Sequence, residues 1–232
     1  MLGFRARRWH DDRMSVADLS TRIINRIHAL RARRSAWLFV VNLRILLGFA
    51  LLPAGLKKIL GEPFTDPAQI GPFHDFLDAF HATGFFYTFT GLVQILIATL
   101  LLTQRFAGVG ALLFFPVITA IGVFCWSTAV YPTASVVTLM WLGGLGLLAI
   151  DSPRLFAFAA GLHPTPAPAP IDLRLWGRAG FAILVFYVLT VLINGGVYRP
   201  RGFEPANPAF WTLPALIVFP LGAWLIERRG RK

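Results

Sequence analysis

Residues 37–60 read WLFVVNLRILLGFALLPAGLKKIL, a run that is long enough and apolar enough to cross a lipid bilayer as a helix. The run carries Arg44 near one end and Lys57 with Lys58 near the other. The uncharged stretch between them is about 12 residues, or roughly 18 Å of a hydrocarbon core that is about 30 Å thick. At least one of these charges must therefore lie at membrane depth, where a charged side chain normally faces a partner or a wet cavity.

Helical spacing predicts which charges share one side of this helix. At about 100° per residue, one face carries a cation at each end and two glycines between them, whereas Lys57 falls on the other side. The residues of this face are Arg44, Gly48, Leu51, Gly55 and Lys58. The glycines predict close packing of a second helix, and the cations predict inward-facing partners. The alternative is that the long cationic side chains only snorkel towards the nearer headgroup layers.

Composition places the chain among integral membrane proteins. Of its 232 residues, 56% are hydrophobic and 14% are charged, and this length suits a single helical bundle. The formal net charge of +11 does not indicate nucleic-acid binding, because 9 of the 22 basic residues are arginines in the first 34 positions, ahead of the first span. The single cysteine, Cys125, excludes an internal disulfide and a Cys-x-x-Cys redox pair.

Five further apolar runs complete a prediction of six spans. They cover residues 84–103, 106–128, 133–150, 178–194 and 210–226. Short connections make the second, third and fourth spans antiparallel neighbours. We therefore predict an all-α, polytopic transmembrane helical bundle with a four-helix core and two additional C-terminal spans. Gln94 lies in the middle of the second span, where its amide can hydrogen-bond across a helix interface.

The polar regions divide the chain further. Residues 1–35 are arginine-rich with apolar positions every three or four residues, which predicts an amphipathic helix on the cytoplasmic leaflet; a disordered basic tail is the alternative. Residues 36–160 hold the four-span bundle, 161–175 a proline-rich cytoplasmic linker, and 176–232 the two-span extension. With the N-terminus inside, 17 of the 22 basic residues fall on the cytoplasmic side, which predicts that both termini are cytoplasmic.

A short amphipathic helix is predicted between the first two spans. Its apolar stripe is Phe73, Phe76, Leu77 and Phe80. On the opposite side, the i, i+4, i+7 spacing of His74, Asp78 and His81 would suit a transition metal. An interfacial helix needs a polar face in any case, and the sequence shows no fourth ligand. We therefore predict no metal site.

Residues 43–151 resemble the DoxX family of bacterial four-helix membrane proteins. The resemblance rests on Arg44 with Gly48 and Phe49, on Gly55-Leu56-Lys57-Lys58 as a Gly-x-x-Lys motif, on Gln94 where the family often has Glu, on Arg105 after the second span, and on Leu148-Ala149-Ile150-Asp151 closing the fourth. It makes Lys58 rather than Lys57 the motif lysine. The N-terminal segment and the last two spans lie outside it.

The resemblance implies a bacterial cytoplasmic membrane protein associated with redox complexes, since the family includes subunits of quinone-reducing thiosulfate oxidoreductases. On this basis Arg44, Lys58 and Gln94 are candidates to face a quinone or a small anion. The chain has no haem, flavin or cluster motif, so we expect no intrinsic cofactor beyond a bound quinone, and a partner protein would carry the electron-transfer cofactor. Two alternatives stay open: a small-solute or ion transporter lined by the same charges, and a non-catalytic assembly or anchoring factor.

Overall fold

The structure is a computed structural model that describes residues 27, 29, 31–65, 69–159, 169–197 and 205–230. Seven α-helices lie wholly within this part of the chain, which contains no strand. They are α1 (Arg34–Ile59), α2 (Pro72–Ala82), α3 (Phe85–Leu102), α4 (Ala107–Ser127), α5 (Tyr131–Ala159), α6 (Leu173–Asn194) and α7 (Thr212–Arg229), the last preceded by a 3₁₀ turn at Pro208–Trp211. The predicted all-α class is confirmed.

Six of these helices, all except α2, are long and apolar enough to cross a membrane, as predicted. The protein is therefore a multi-pass membrane protein. α6 begins at Leu173 rather than at residue 178 because the Asp172 carboxylate caps it, accepting the backbone N–H groups of Arg174 at 2.9 Å and Leu175 at 3.3 Å. α5 continues past residue 150 to Ala159, so Asp151 lies within the helix instead of ending it.

α1 packs most closely against α3, and glycines set the distance between the two helices. A methyl group built on Gly48 would lie 3.0 Å from the side chain of Leu102 and 3.1 Å from the carbonyl oxygen of Ala98. One built on Gly91 of α3 would lie 2.7 Å from the carbonyl oxygen of Gly55. These distances agree with the close packing expected of Gly48 and Gly55, since a larger side chain would push the helices apart.

The last two spans share one apolar core with the first four. Gly180 of α6 packs directly on the carbonyl oxygen of Leu102 at the end of α3, and the rings of Tyr187 and Phe49 meet edge to face at 5.4 Å. Near the beginning of α6, the indole N–H of Trp176 donates to the Glu227 carboxylate of α7 at 2.9 Å. α6 therefore joins both the four-span bundle and α7.

α2 lies outside the spans as the amphipathic helix that the sequence predicts. Its apolar stripe is made of aromatic side chains that pack on neighbouring rings, with Phe73 and Phe76 at 5.3 and 4.5 Å from Phe124 of α4. None of its residues is fully buried. α2 is thus packed on the bundle through its aromatic stripe, with every residue at least partly exposed.

Several predictions concern residues outside the described part. The proline-rich stretch at 161–168 and most of the N-terminal segment, residues 1–26, 28 and 30, belong to this group. Of that segment, the described residues 27, 29, 31 and 32 are helical. The division of the chain into four regions stays a prediction.

Candidate functional site

All three cations of α1 are buried. The exposed fractions are 2% for Arg44, 9% for Lys57 and 7% for Lys58. Gly48, Leu51 and Gly55, which complete the predicted face, are buried as well. At 1.5 Å per residue, Arg44 and Lys58 lie roughly 21 Å apart along the helix, so each has its own surroundings.

Arg44 lies at the centre of a buried polar cluster that joins α1, α5 and the turn between α3 and α4. Its Nη2 donates to the Asp151 carboxylate of α5 at 2.7 Å, and its Nη1 donates to Oε1 of Gln104 at 3.2 Å. The guanidinium carbon lies 5.7 Å from the ring centre of Trp37. We call Arg44, Asp151, Gln104 and Trp37 the Arg44 cluster. Its positive charge is matched by a buried carboxylate, and both charges are hydrogen-bonded.

An unusual backbone conformation brings Gln104 into this cluster. Gln104 follows the end of α3 and has a φ of 59°, in the left-handed region that non-glycine residues rarely occupy. From there its side chain enters the bundle, where Nε2 donates to the carbonyl oxygen of Val41 at 3.4 Å. Gln104 thus bonds the α3–α4 turn to two residues of α1 that are about one helical turn apart, Val41 and Arg44.

A second buried cluster surrounds Lys58. The ammonium donates to Oε1 of Gln94 at 3.1 Å and to the carbonyl oxygen of Ala54 at 3.3 Å. Two aromatic rings cover it, with centres 4.2 Å from Nζ for Phe64 and 5.7 Å for Tyr87. We call Lys58, Gln94, Phe64 and Tyr87 the Lys58 cluster. Gln94 thus makes a hydrogen bond across the interface between α3 and α1, as its position in the middle of the second span predicts.

The two clusters differ in how they balance charge. Asp151 neutralises Arg44, whereas within the described residues no carboxylate lies at ion-pair distance from Lys58. The ammonium is satisfied by neutral oxygens and by the faces of aromatic rings, which attract a cation more weakly than a carboxylate does. The Lys58 cluster therefore holds a buried positive charge that an incoming oxygen atom with negative charge would stabilise.

The prediction that Lys57 lies on the other side of α1 from the buried face needs correction. The chain after α1 folds back over the end of the helix: the backbone N–H of Glu62 donates to the carbonyl oxygen of Lys57 at 2.9 Å. The Phe64 ring centre then lies 5.6 Å from the Lys57 ammonium as well as over Lys58. Helical spacing alone separates the two lysines, but this cover buries both.

Glu62 connects the cover of the Lys58 cluster to two other spans. Its carbonyl oxygen accepts the Tyr87 hydroxyl at 2.7 Å, and its carboxylate accepts the backbone N–H of Val197 at 3.1 Å. Tyr87 belongs to α3, and Val197 follows the end of α6. The segment that follows the fifth span therefore contacts the residues that cover this cluster.

The candidate residues predicted from the sequence divide between the clusters. The structure brings Lys58 and Gln94 together but places Arg44 at the opposite end of α1. Sequence reasoning gave no role to Gln104, whose only signal is a polar side chain in a short connection next to Arg105. Asp151 entered through the family resemblance alone, although an acidic residue at the same end of the bundle as Arg44 is a signal for the pair. Phe64 has no comparable signal.

The polar side of α2 makes separate contacts rather than one site. The Thr65 hydroxyl donates to Asp78 at 2.5 Å, and Nε2 of His81 lies 2.9 Å from the carbonyl oxygen of Gly61. His74 makes neither contact. Across the described ranges, no three histidine, cysteine or acidic side chains come close enough together to hold a metal ion.

Comparison with known proteins leaves the site without a reference, since no family model, no curated protein and no solved structure matches the chain.

Proposed function

We propose that the chain is a DoxX-like membrane subunit that binds a quinone at the Lys58 cluster, while a partner protein supplies the electron-transfer cofactor. The observation that carries this proposal is the buried Lys58 ammonium, which lacks a neighbouring carboxylate among the described residues. A buried charge of this kind lowers stability, so its presence is best explained by a role in binding.

The hydrogen-bonding capacity of Lys58 fits a ligand oxygen. An ammonium has three N–H donors. Two of them are directed at protein oxygens, those of Gln94 and Ala54. The third is available for a quinone carbonyl, and the positive charge would favour the reduced, more negative forms of the quinone over the oxidised form. The rings of Phe64 and Tyr87 supply the apolar surface that an aromatic headgroup prefers.

Membrane orientation forms a further part of the proposal. Exposed arginines gather at the Arg44 end of the bundle, at the beginnings of α1 and α6, in the α3–α4 turn and at the end of α7. They are Arg33, Arg174, Arg178, Arg105 and Arg228. By the positive-inside rule this end faces the cytoplasm of a bacterial cell, with both termini on that side of the inner membrane. The Lys58 cluster then lies in the outer half of the bilayer.

Packing between the clusters favours a binding role over transport. A solute that passed from Lys58 to Arg44 would have to follow the face of α1 that carries Gly48 and Gly55. α3 occupies this face, because methyl groups built on the two glycines would lie 3.0 Å from Leu102 and 2.9 Å from Ile95. Transport along this route would require α1 and α3 to separate along their contact, whereas quinone binding would require movement only at the Lys58 end of α1.

Quinone binding to purified protein tests the proposal. We expect the wild-type protein to copurify with a membrane quinone and to bind a short-chain benzoquinone after delipidation. Lys58→Met removes a charge-assisted hydrogen bond and should weaken binding by about 10- to 100-fold. Lys57→Met is the matched control, because Lys57 is an adjacent buried lysine without a hydrogen bond to Gln94, and it should change the dissociation constant by less than about threefold.

Gln94→Glu gives a second arm. The new carboxylate would neutralise Lys58 from within and should weaken quinone binding while leaving the protein at least as stable in detergent as the wild type. Equal quinone affinity in the wild-type, Lys58→Met and Gln94→Glu proteins would refute the proposed site. Solute flux through wild-type liposomes without any quinone binding would favour the transporter instead.

A further inference from the structure

α2 is fastened to the residues that cover Lys58. Asp78 accepts the Thr65 hydroxyl at 2.5 Å, beside Phe64, and His81 lies 2.9 Å from the carbonyl oxygen of Gly61. The Phe80 and His81 rings each meet the Tyr87 ring edge to face at 5.1 Å. Of the two rings that cover the ammonium, Tyr87 packs directly on α2, and Phe64 is next in sequence to Thr65, which is bonded to α2.

Glycines with a positive φ flank α2 on both sides, and the second of them also begins α3. Gly71 precedes α2 with a φ of 129°, and Gly84 follows it with a φ of 58°. Both conformations are accessible mainly to glycine. A methyl group built on either glycine would meet no other atom within 4 Å. No neighbouring atom crowds the Cα of either glycine, so the backbone at both ends of α2 can change its dihedral angles without a steric clash.

Contacts along α2 itself are of the kind that open readily. None of its residues is fully buried, and its polar bonds to Thr65 and Gly61 are partly exposed to solvent. Elements with few buried contacts and solvent-exposed hydrogen bonds open at lower free energy than the core that supports them.

We propose that α2 is a lid over the Lys58 cluster, hinged at Gly71 and Gly84, whose opening admits the ligand at the membrane–water boundary. This inference rests on the quinone site proposed above. Opening breaks the Thr65–Asp78 and His81–Gly61 contacts and withdraws Phe80 from Tyr87. It also separates Phe73 and Phe76 from Phe124 of α4. The cover formed by Phe64 and Tyr87 then loses its outer support, and the Lys58 ammonium becomes reachable from the aqueous side.

A reversible cross-link between the lid and the cover tests this directly. The hydroxyl oxygen of Thr65 and a carboxylate oxygen of Asp78 lie 2.5 Å apart, so the two side chains are neighbours, and formation of a disulfide between cysteines at these positions is checked by mass spectrometry. The double variant Thr65→Cys/Asp78→Cys is made with Cys125→Ser, which removes the natural thiol. Thr65→Cys with Cys125→Ser, which cannot form the cross-link, is the control.

Quinone association is then measured in the oxidised double variant and in the same protein reduced with a phosphine and desalted. We expect the oxidised form to bind a short-chain benzoquinone at least about tenfold more slowly than the reduced form, because the lid cannot open. The single-cysteine control should bind at the same rate under both treatments. Equal rates in the two forms of the double variant would overturn the lid.

A second measurement separates the lid from the quinone site. Lys58 is modified with a water-soluble amine reagent, and the extent of labelling is read by mass spectrometry in both forms. We expect labelling of Lys58 to fall at least about tenfold on oxidation and to recover on reduction. If labelling of Lys58 falls on oxidation but the protein binds no quinone, the lid is supported and the quinone site is rejected. If labelling is the same in both forms and quinone binding is normal, the lid is rejected and the quinone site is supported.

Discussion

Arg44 and Lys58 occupy the same face of one helix and are both buried, yet their partners differ. Arg44 meets the Asp151 carboxylate and the Gln104 amide, whereas Lys58 meets the amide of Gln94 and a backbone carbonyl. A buried cation with a carboxylate partner resembles a structural tie between helices. One whose described partners are all neutral keeps a positive charge without a neutralising partner among them, which is the basis of the proposed binding site. Burial of a charge therefore does not by itself identify a functional site, because the partners of the charge must also be counted.

The chemistry of the two side chains agrees with these roles. The planar guanidinium of arginine presents donors in fixed directions, and Arg44 uses two of its nitrogens to join α5 to the α3–α4 turn. The lysine ammonium is a compact charge on a flexible stem, and its donors can rotate to meet a ligand. Exchange of the two residues would not preserve either cluster.

The largest expected effect is on stability, and it should separate the clusters. Arg44→Met leaves the Asp151 carboxylate buried without its partner and should lower the free energy of unfolding by about 3–5 kcal/mol. Lys58→Met leaves only a neutral amide and should change it by about 1 kcal/mol or less. Denaturation of both variants by SDS, starting from the same mild detergent, measures the difference.

A double replacement sharpens the same comparison. Arg44→Met combined with Asp151→Leu removes both charges and should recover most of the stability that Arg44→Met loses. If Arg44→Met and Lys58→Met proved equally destabilising, the distinction between a structural pair and an available charge would have no basis.

Much of this comparison is accessible from the sequence. The short uncharged run between Arg44 and Lys58 shows that charges lie at membrane depth, and helical spacing places the two cations and both glycines on one buried face. The six spans follow from hydropathy alone, because a spanning helix must satisfy its own backbone and display apolar side chains to lipid.

The remaining features depend on contacts between distant parts of the chain. Helical spacing separates Lys57 from Lys58, but the chain that returns over α1 covers both. Gln104 joins the Arg44 cluster because its backbone adopts a positive φ, a choice imposed by packing rather than by its own preference. Arg44 and Gln94 lie in different clusters because of where α3 crosses α1, which also depends on packing. Local periodicity contains none of this information.

The next effect concerns the close approach of α3 to the Lys58 end of α1. A methyl group built on Gly91 would lie 2.7 Å from both the Gly55 carbonyl oxygen and Cβ of Lys58. Gly91→Ala should therefore force the helices apart and lower the free energy of unfolding by about 1–3 kcal/mol. Gly146→Ala in α5 is the control, since its methyl group would meet no atom within 4 Å. Equal SDS denaturation midpoints for the two variants would show that α1 and α3 separate easily, and the packing argument against a transport route would fail.

The smallest expected effect tests whether Gln104 is held in place by the Arg44 cluster. Gln104→Ala and Gln104→Gly both delete the hydrogen bonds to Arg44 and Val41, but alanine keeps a Cβ at a φ of 59°. Alanine should therefore be the more destabilising replacement, by about 1 kcal/mol in the free energy of unfolding. Ala129 provides a calibration within the same protein, because it has a φ of 57°, is exposed and follows α4. Ala129→Gly should stabilise the protein by nearly the amount that separates the two Gln104 variants, since the difference in unfolded-state entropy between alanine and glycine is the same in both comparisons.

The opposite outcome is equal stability of the two Gln104 variants together with a higher free energy of unfolding for Ala129→Gly. Residue 104 would then leave the left-handed region once its side chain is removed, and the bonds to Arg44 and Val41 would be what imposes the conformation of the turn. The expected difference would show instead that packing of the α3–α4 turn imposes this conformation.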